Sequence, residues 1–147
     1  MRLHVGSDHG GVALRQALIE HARAAGHTVV SEVGPESAAQ SVDYPDIARE
    51  VCTAVLGDSG AFGLLVCGTG QGVAMTANAI PGIRAGVVSD VFSARMTRSH
   101  NDANVLCLGA RVLGGGLAAE IFDAFAAAEF EGGRHARRVG KIDGVKS

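Results

Sequence analysis

The segment Phe62–Gly72 constrains the fold most, because it reads as a strand, a tight turn and the start of a helix in immediate succession. Its apolar run ends at Cys67, and the next five residues are Gly68-Thr69-Gly70-Gln71-Gly72. A glycine-rich turn between a strand and a helix brings several backbone N–H groups to one point, where they can hold an anion. We therefore expect the Cys67 thiolate to be available beside an anion site. That pairing suits removal of a proton alpha to a carbonyl.

Composition restricts the classes of protein to consider. The chain has 147 residues, enough for one domain, and 47% of them are hydrophobic, so disorder is not expected. A net charge of −2 and few aromatic residues (five Phe, one Tyr) argue against nucleic-acid binding. The run Met1-Arg2-Leu3-His4-Val5-Gly6 is too short and too polar for a secretory signal, so none is expected, and no apolar run approaches the ~18–20 residues of a membrane helix. Three cysteines match no disulfide framework or zinc motif, so we expect a cytoplasmic protein.

Strand-like apolar runs alternate with stretches of helical period along the whole chain. This alternation predicts an α/β domain with a mostly parallel five-stranded sheet, covered by helices on both faces. Pro45 suits the first position of the second helix, which predicts Tyr44 as its N-cap residue. Gly132-Gly133 then precedes a basic tail, residues 134–146. The predicted strands are 2–6, 27–33, 62–67, 83–89 and 104–108, and the predicted helices are 11–25, 45–56, 70–79, 90–99 and 114–130.

In such sheets a ligand binds beyond the carboxyl ends of the strands. The residues there are Asp8-His9, the cysteine-glycine turn, Ser89-Asp90 and Gly109-Ala110-Arg111. A His beside an Asp is well placed for a ligand's hydroxyl or phosphate. Asp8 would also fit a purely structural role as the N-cap of the first helix.

Cys67 and its turn have three other possible interpretations. Most free cysteines are buried small hydrophobes, and Cys52 and Cys107 fit that description. A cysteine-phosphatase loop needs an Arg after five residues, where this chain has Val73. A dinucleotide turn needs one more residue between its glycines and follows a first strand, although Asp90 lies at a suitable distance downstream.

Two polar clusters lie outside these turns. His100-Asn101-Asp102-Ala103-Asn104 is typical of a turn, although His100 could act as an acid or base. If the basic tail is helical, Arg134 and Arg138 lie one turn apart and suit a phosphate group, whereas a solvated basic face is the simpler reading. No two histidines have metal-ligand spacing, so we predict no metal.

Taken together and in order, these motifs resemble the ribose-5-phosphate isomerase B family, which includes galactose-6-phosphate and allose-6-phosphate isomerases. The resemblance covers essentially the whole chain. The matching segments are Ser7-Asp8-His9-Gly10-Gly11, Asp43-Tyr44-Pro45, Cys67-Gly68-Thr69-Gly70-Gln71-Gly72, Ala77-Asn78, Gly82-Ile83-Arg84-Ala85, Ser99-His100-Asn101-Asp102-Ala103-Asn104, Gly109-Ala110-Arg111 and Glu131-Gly132-Gly133-Arg134-His135.

The resemblance implies a Rossmann-like three-layer sandwich that spans residues 1–147, with part of the phosphate site in the tail, 130–147. It implies an aldose–ketose isomerase that acts on a sugar phosphate without cofactor or metal. It also implies a homodimer with active sites at the subunit interface, and it leaves open whether dimers pair into tetramers. No nucleic-acid or membrane partner is expected.

The resemblance also assigns roles to individual residues. Cys67 looks like the base that moves a proton between C2 and C1, and Thr69 like the hydroxyl that assists proton exchange between O1 and O2. His100 with Asp8 resembles the ring-opening group. The remaining matches are Gly68, Gly70 and Gly72 for the enediolate hole, Asn101 and Tyr44 for sugar contacts, and His9, Arg111, Arg134 and Arg138 for the phosphate.

Two positions set this chain apart within the family. Some members use a glutamate base in the helix after the glycine turn, and that position is Met75 here, which favours Cys67 as the base. Ala79 stands where the family often has lysine, which bears on substrate choice. Ribose 5-phosphate is the expected substrate. A hexose 6-phosphate, an erythrulose phosphate or a non-catalytic sugar-phosphate-binding module remain the alternatives.

Overall fold

A computed structural model describes residues 1–146. Five parallel strands form one sheet in the order β2-β1-β3-β5-β4. The chain moves from β1 to one side of the sheet for β2 and to the other side for β3, so a topological switch point lies between the carboxyl ends of β1 and β3. The strands are β1 (Arg2–Ser7), β2 (Thr28–Val33), β3 (Phe62–Cys67), β4 (Ala85–Val87) and β5 (Val105–Gly109).

Helices cover both faces of the sheet, as predicted from the alternation of segments. One face carries α1, α4 and α5, which pack Leu18, Ala94 and Phe122 against β1, β3 and β5. The other face carries α2 and α3, which pack Val51 and Val73 against β3 and β5. The helices are α1 (Val12–Ala24), α2 (Tyr44–Gly57), α3 (Gln71–Asn78), α4 (Val91–Ser99), α5 (Gly115–Ala127) and α6 (Arg134–Val145).

The predicted and observed elements agree in order and type and differ at their ends. A short 3-10 turn at His9–Gly11 precedes α1. The prediction of Tyr44 as N-cap is wrong: Asp43 is the cap, because its backbone is extended and its carbonyl accepts the first hydrogen bond of the helix, from Asp46. β4 keeps only three of the seven predicted residues, since it is an edge strand that pairs with β5 alone.

The basic tail is a helix, α6, which follows the left-handed residues Gly132 and Gly133. Its buried residues are His135 and Val139. Near its end, Asp143 accepts hydrogen bonds of 3.1 Å from Arg84, and the Lys146 ammonium donates to the carbonyl of Ile83. The tail is therefore attached at both ends to the rest of the chain. Among residues 1–146, no helix combines the length and apolar character needed to cross a bilayer.

Candidate active site in two halves

Cys67 ends β3 directly beneath the glycine turn. The backbone N–H of Gly70 donates to its Sγ at 3.1 Å, and the residue is 4% exposed. Gly68 is half-buried and Thr69 exposed, so the turn itself is open to solvent. The sulfur therefore lies directly below the part of the turn that is open to solvent.

Gly70 is the residue that makes this turn possible. Its φ of 79° is left-handed, and a Cβ there would fall 3.0 Å from the backbone carbon of Leu108. Both conditions favour glycine, because other residues would meet steric strain in each. Gly70 is also the N-cap of α3, so the free N–H groups of that helix start at the turn.

The carboxyl end of β1 lies beside this turn. Asp8 is buried, and its Oδ1 accepts a 2.9 Å hydrogen bond from the N–H of Gly10. The structural role expected for Asp8 is thus observed, as cap of the 3-10 turn. A Cβ on Gly10 would lie 3.6 Å from the backbone N of Gly68, which shows how closely the two turns approach. His9 Nδ1 accepts from the Val42 N–H at 3.3 Å, which leaves Nε2 for a ligand.

Tyr44 and Arg111 complete this group from opposite sides. A Cβ on Gly72 would fall 2.5 Å from Cε2 of Tyr44, and one on Gly68 would fall 3.6 Å from Cδ of Arg111. Both side chains are exposed. We call this group the cysteine half-site. It comprises Asp8, His9, Tyr44, Cys67, Gly68, Thr69, Gly70, Gly72 and Arg111.

His100 and the tail arginines form a separate group. The His100 ring stacks on His135 with centroids 4.1 Å apart and planes within 8°. The Glu131 carboxylate lies beside the stack, with Oε1 3.7 Å from Nε2 of His100 and Oε2 3.6 Å from Nε2 of His135. We call this group the histidine half-site. It comprises His100, Asn101, Glu131, Arg134, His135 and Arg138.

The two half-sites lie at opposite ends of the strands, the cysteine half-site at the carboxyl ends and the histidine half-site at the amino ends. Cys67 pairs with Gly109, the last residue of β5, whereas Asn104, just before β5, accepts from the Gly63 N–H near the start of β3. β5 spans roughly 13 Å at about 3.3 Å per residue. α4 runs back along the sheet and ends next to His100, at the end of the sheet where β5 begins. One chain therefore does not bring Cys67 and His100 together.

The other two cysteines are structural, as predicted. Cys52 and Cys107 are fully buried, and burial raises the pKa of the Cys52 thiol to about 11 and that of Cys107 well above its usual value. Neither thiol is therefore a base near neutral pH. Cys67 is the one cysteine of the three that lies in the cysteine half-site.

His100, Glu131 and His135 are also the group, among residues 1–146, whose donor atoms lie within 4.8 Å of one another as a metal site would require. Their ring geometry fits a metal poorly. A metal ion lies in the plane of each imidazole that binds it, and two parallel stacked rings share no such point. The prediction that the protein uses no metal stays a prediction.

Sequence reasoning gave no role to Glu131 or His135. Both belong to a segment matched to the family, but a separation of 35 residues between His100 and His135 carries no spacing signal. Glu131 precedes the Gly132-Gly133 break and lies outside α6, so helical spacing does not relate it to His135 either. Only the docking of α6 shows that they meet His100.

Known proteins share both the sequence pattern and the fold of this chain. The sequence profile described as Ribose/Galactose Isomerase matches residues 3–142. The chain belongs to the ribose/galactose isomerase family. It is 41% identical over 145 residues to ribose-5-phosphate isomerase B of Escherichia coli, covering 99% of this chain and 96% of that one.

Two further relatives show the range of the family. The D-erythrulose-4-phosphate isomerase of Pectobacterium atrosepticum is 37% identical over 142 residues, covering 97% of this chain and 93% of its own. The solved structure of ribose-5-phosphate isomerase B from Clostridium thermocellum superposes with a TM-score of 0.95 at 45% identity, covering 99% and 97% of the two chains. The fold predicted from the sequence is thereby confirmed.

Proposed function

We propose that this protein interconverts ribose 5-phosphate and ribulose 5-phosphate, with Cys67 as the base. The observation that carries the proposal is the Cys67 sulfur, which accepts the Gly70 N–H at 3.1 Å beneath the half-buried Gly68 and the exposed Thr69. Full-length similarity to enzymes named for this reaction supports it. A mere sugar-phosphate binder has no need of a thiolate at that point.

Isomerisation begins with the opening of the ribofuranose ring. The O1 hydroxyl loses its proton, the C1–O4 bond breaks and O4 gains a proton, which leaves an aldehyde at C1. His100 and Asp8 are the acid and base for this exchange. Cys67 then removes the C2 proton, and the negative charge that develops on oxygen is stabilised by backbone N–H groups of the segment Gly68–Gly72. One such preorganised donor is worth ~3–4 kcal/mol of barrier.

The enediolate then collapses to the ketose. The Thr69 hydroxyl assists transfer of a proton between O1 and O2, and the Cys67 thiol returns its proton to C1. The product carries CH2OH at C1 and a carbonyl at C2, so no atom or electron is gained or lost. No redox cofactor is required for this balance. The phosphate lies at C5, remote from the reacting carbons, and its binding positions them.

Two chains are needed to assemble this site. The cysteine half-site holds the base and His9 and Arg111, whereas the histidine half-site holds the ring-opening histidine and Arg134 and Arg138. We infer a homodimer in which each half-site of one chain faces the other half-site of its partner. That exchange is the pattern of an isologous two-fold interface. Exposed apolar side chains, among them Met75 and Phe92, offer contact area for it.

Proton NMR of ribose 5-phosphate in D2O tests the proposed reaction. We expect ribulose 5-phosphate to form with deuterium at C1, because the thiol exchanges its proton with solvent between abstraction and return. Retention of ribose 5-phosphate signals with no exchange at C2 would reject the reaction and support a binding module.

A second substrate class is supported by a specific relative. The chain covers 93% of an enzyme named D-erythrulose-4-phosphate isomerase. A panel of ribose 5-phosphate, allose 6-phosphate and erythrulose 4-phosphate at equal concentrations compares the three sugar lengths. We expect the highest kcat/KM with ribose 5-phosphate, and a higher value with either other sugar would reassign the substrate.

A further inference from the structure

The ring of His100 is held on one side only. His135 covers one face of it at a centroid distance of 4.1 Å, while 35% of the His100 side chain stays exposed. His135 itself is 7% exposed and fixed inside the contact between α6 and the body of the chain. The buried imidazole therefore forms a platform for the exposed one.

Glu131 faces the ring nitrogens of both histidines. Its carboxylate oxygens lie 3.7 and 3.6 Å from the two Nε2 atoms, so one carboxylate contacts both rings. Its backbone N–H donates to the Ser99 carbonyl at 3.0 Å. This bond fixes Glu131 to the residue that precedes His100, so the main chain sets the position of the carboxylate.

The two neighbours have separate effects on charge. Burial, followed by the nearby His100, lowers the pKa of His135. A neutral His135 can stack on His100 without adding a second positive charge. Glu131 is the carboxylate that faces the Nε2 atoms of both rings.

Helix α6 joins this platform to the predicted phosphate ligands. Arg134 and Arg138 are exposed on it, and His135 and Val139 face inward. The far end of the helix is held by Arg84 through Asp143. One rigid element thus carries both the arginines for the phosphate and the ring that supports His100.

We propose that His135 and Glu131 are positioning residues that hold His100 for opening of the sugar ring, at a set distance from the phosphate-binding arginines. The proposal rests on the proposed function. Neither residue takes part in proton transfer at C1 or C2, which belongs to the cysteine half-site. Their loss should therefore slow ring opening and leave the later steps unchanged.

The chemistry of the two substrates separates these steps. Ribose 5-phosphate is cyclic and must be opened. Ribulose 5-phosphate has no furanose form, because the C5 oxygen that would close the ring onto C2 carries the phosphate. Turnover from ribulose 5-phosphate needs only proton transfer, and the aldehyde it yields can cyclise in water after release.

The experiment compares kcat in the two directions for His135→Phe, His135→Ala and Glu131→Gln, with the exposed Glu129→Gln as matched control. We expect His135→Ala and Glu131→Gln to lower kcat for ribose 5-phosphate by about tenfold or more, and to keep kcat for ribulose 5-phosphate within about threefold. His135→Phe retains a stacking ring and should recover part of the loss.

A different pattern would overturn the proposal. Equal losses in both directions would mean a general structural role, and unchanged kcat in both directions would mean none. Glu131 lies at the surface, so its Gln variant tests the idea even if the His135 variants fold poorly. Absence of turnover by the unmutated protein in both directions would reject the proposed function itself, a result distinct from either of these.

Discussion

Cys67 and His100 lie at opposite ends of the strands of the same parallel sheet. Cys67 lies where β3 ends, and His100 lies where α4 returns to the start of β5. Both are predicted to act on one sugar phosphate that is far shorter than the sheet and its flanking helices. A single chain therefore has two incomplete sites, and the proposed dimer makes both complete.

This separation predicts complementation between inactive subunits. Cys67→Ala and His100→Asn homodimers should each lose activity. A mixed dimer would contain one site with both substitutions and one site with neither. Random reassociation after co-refolding should therefore restore up to about a quarter of the wild-type activity. Heterodimers counted by native mass spectrometry that show no recovered activity would contradict a shared site.

Replacement of the base should abolish turnover and spare the fold. Cys67→Ala removes the thiolate that takes the C2 proton, so we expect kcat to fall by several orders of magnitude. The lost sulfur is small, so the free energy of unfolding should change by only about 1 kcal/mol. Thermal denaturation and NMR turnover assays measure the two effects. Cys52→Ala is the matched control, and it should keep its kcat.

Substitution of the tail arginines should weaken substrate binding. Arg134→Ala and Arg138→Ala each remove a guanidinium from the proposed phosphate site, and we expect KM to rise by about tenfold or more with a smaller change in kcat. Arg137→Ala is the control, because Arg137 lies between them on the helix and points elsewhere. Unchanged KM in both test variants would remove the phosphate assignment.

Stability should fall as the pH drops below neutrality. Burial lowers the pKa of His135 and of His27 in the folded chain. The unfolded chain then binds more protons than the folded one at pH values near and just below the ordinary histidine pKa of about 6.5, so the free energy of unfolding increases with pH there. Thermal midpoints between pH 7.5 and 5.5 should decrease with acidification, and His135→Phe should decrease less. Equal slopes for the variant and the wild type would be inconsistent with a buried neutral His135.

Most of the fold was predictable because its signals are local. β3 was predicted with its observed bounds, since a continuous apolar run between turn residues has few other solutions. The ends of β4 and the cap of α2 were not, because they depend on which neighbours pair. β4 pairs on one side only, and Asp43 is the cap through a hydrogen bond set by the backbone.

The candidate site divides in the same way. The cysteine half-site was largely foreseeable, because the carboxyl ends of parallel strands all lie on the same side of the sheet, and the residues that follow them meet there. Four members of the histidine half-site were foreseen (His100, Asn101, Arg134 and Arg138), whereas Glu131, His135 and the place of the whole group were not. Its position depends on the docking of α6 through His135 and Asp143, which lie 35 and 59 residues from the partners His100 and Arg84.

The amino-acid sequence alone determined the α/β class, the strand that ends in a thiol and the glycine turn above it, because apolar periodicity and glycine conformation act over a few neighbouring residues. Tertiary structure alone decided that Glu131 and His135 contact His100. It also decided that this group lies at the end of the strands opposite to Cys67. Those facts come from contacts between segments distant in the chain, which local patterns do not encode.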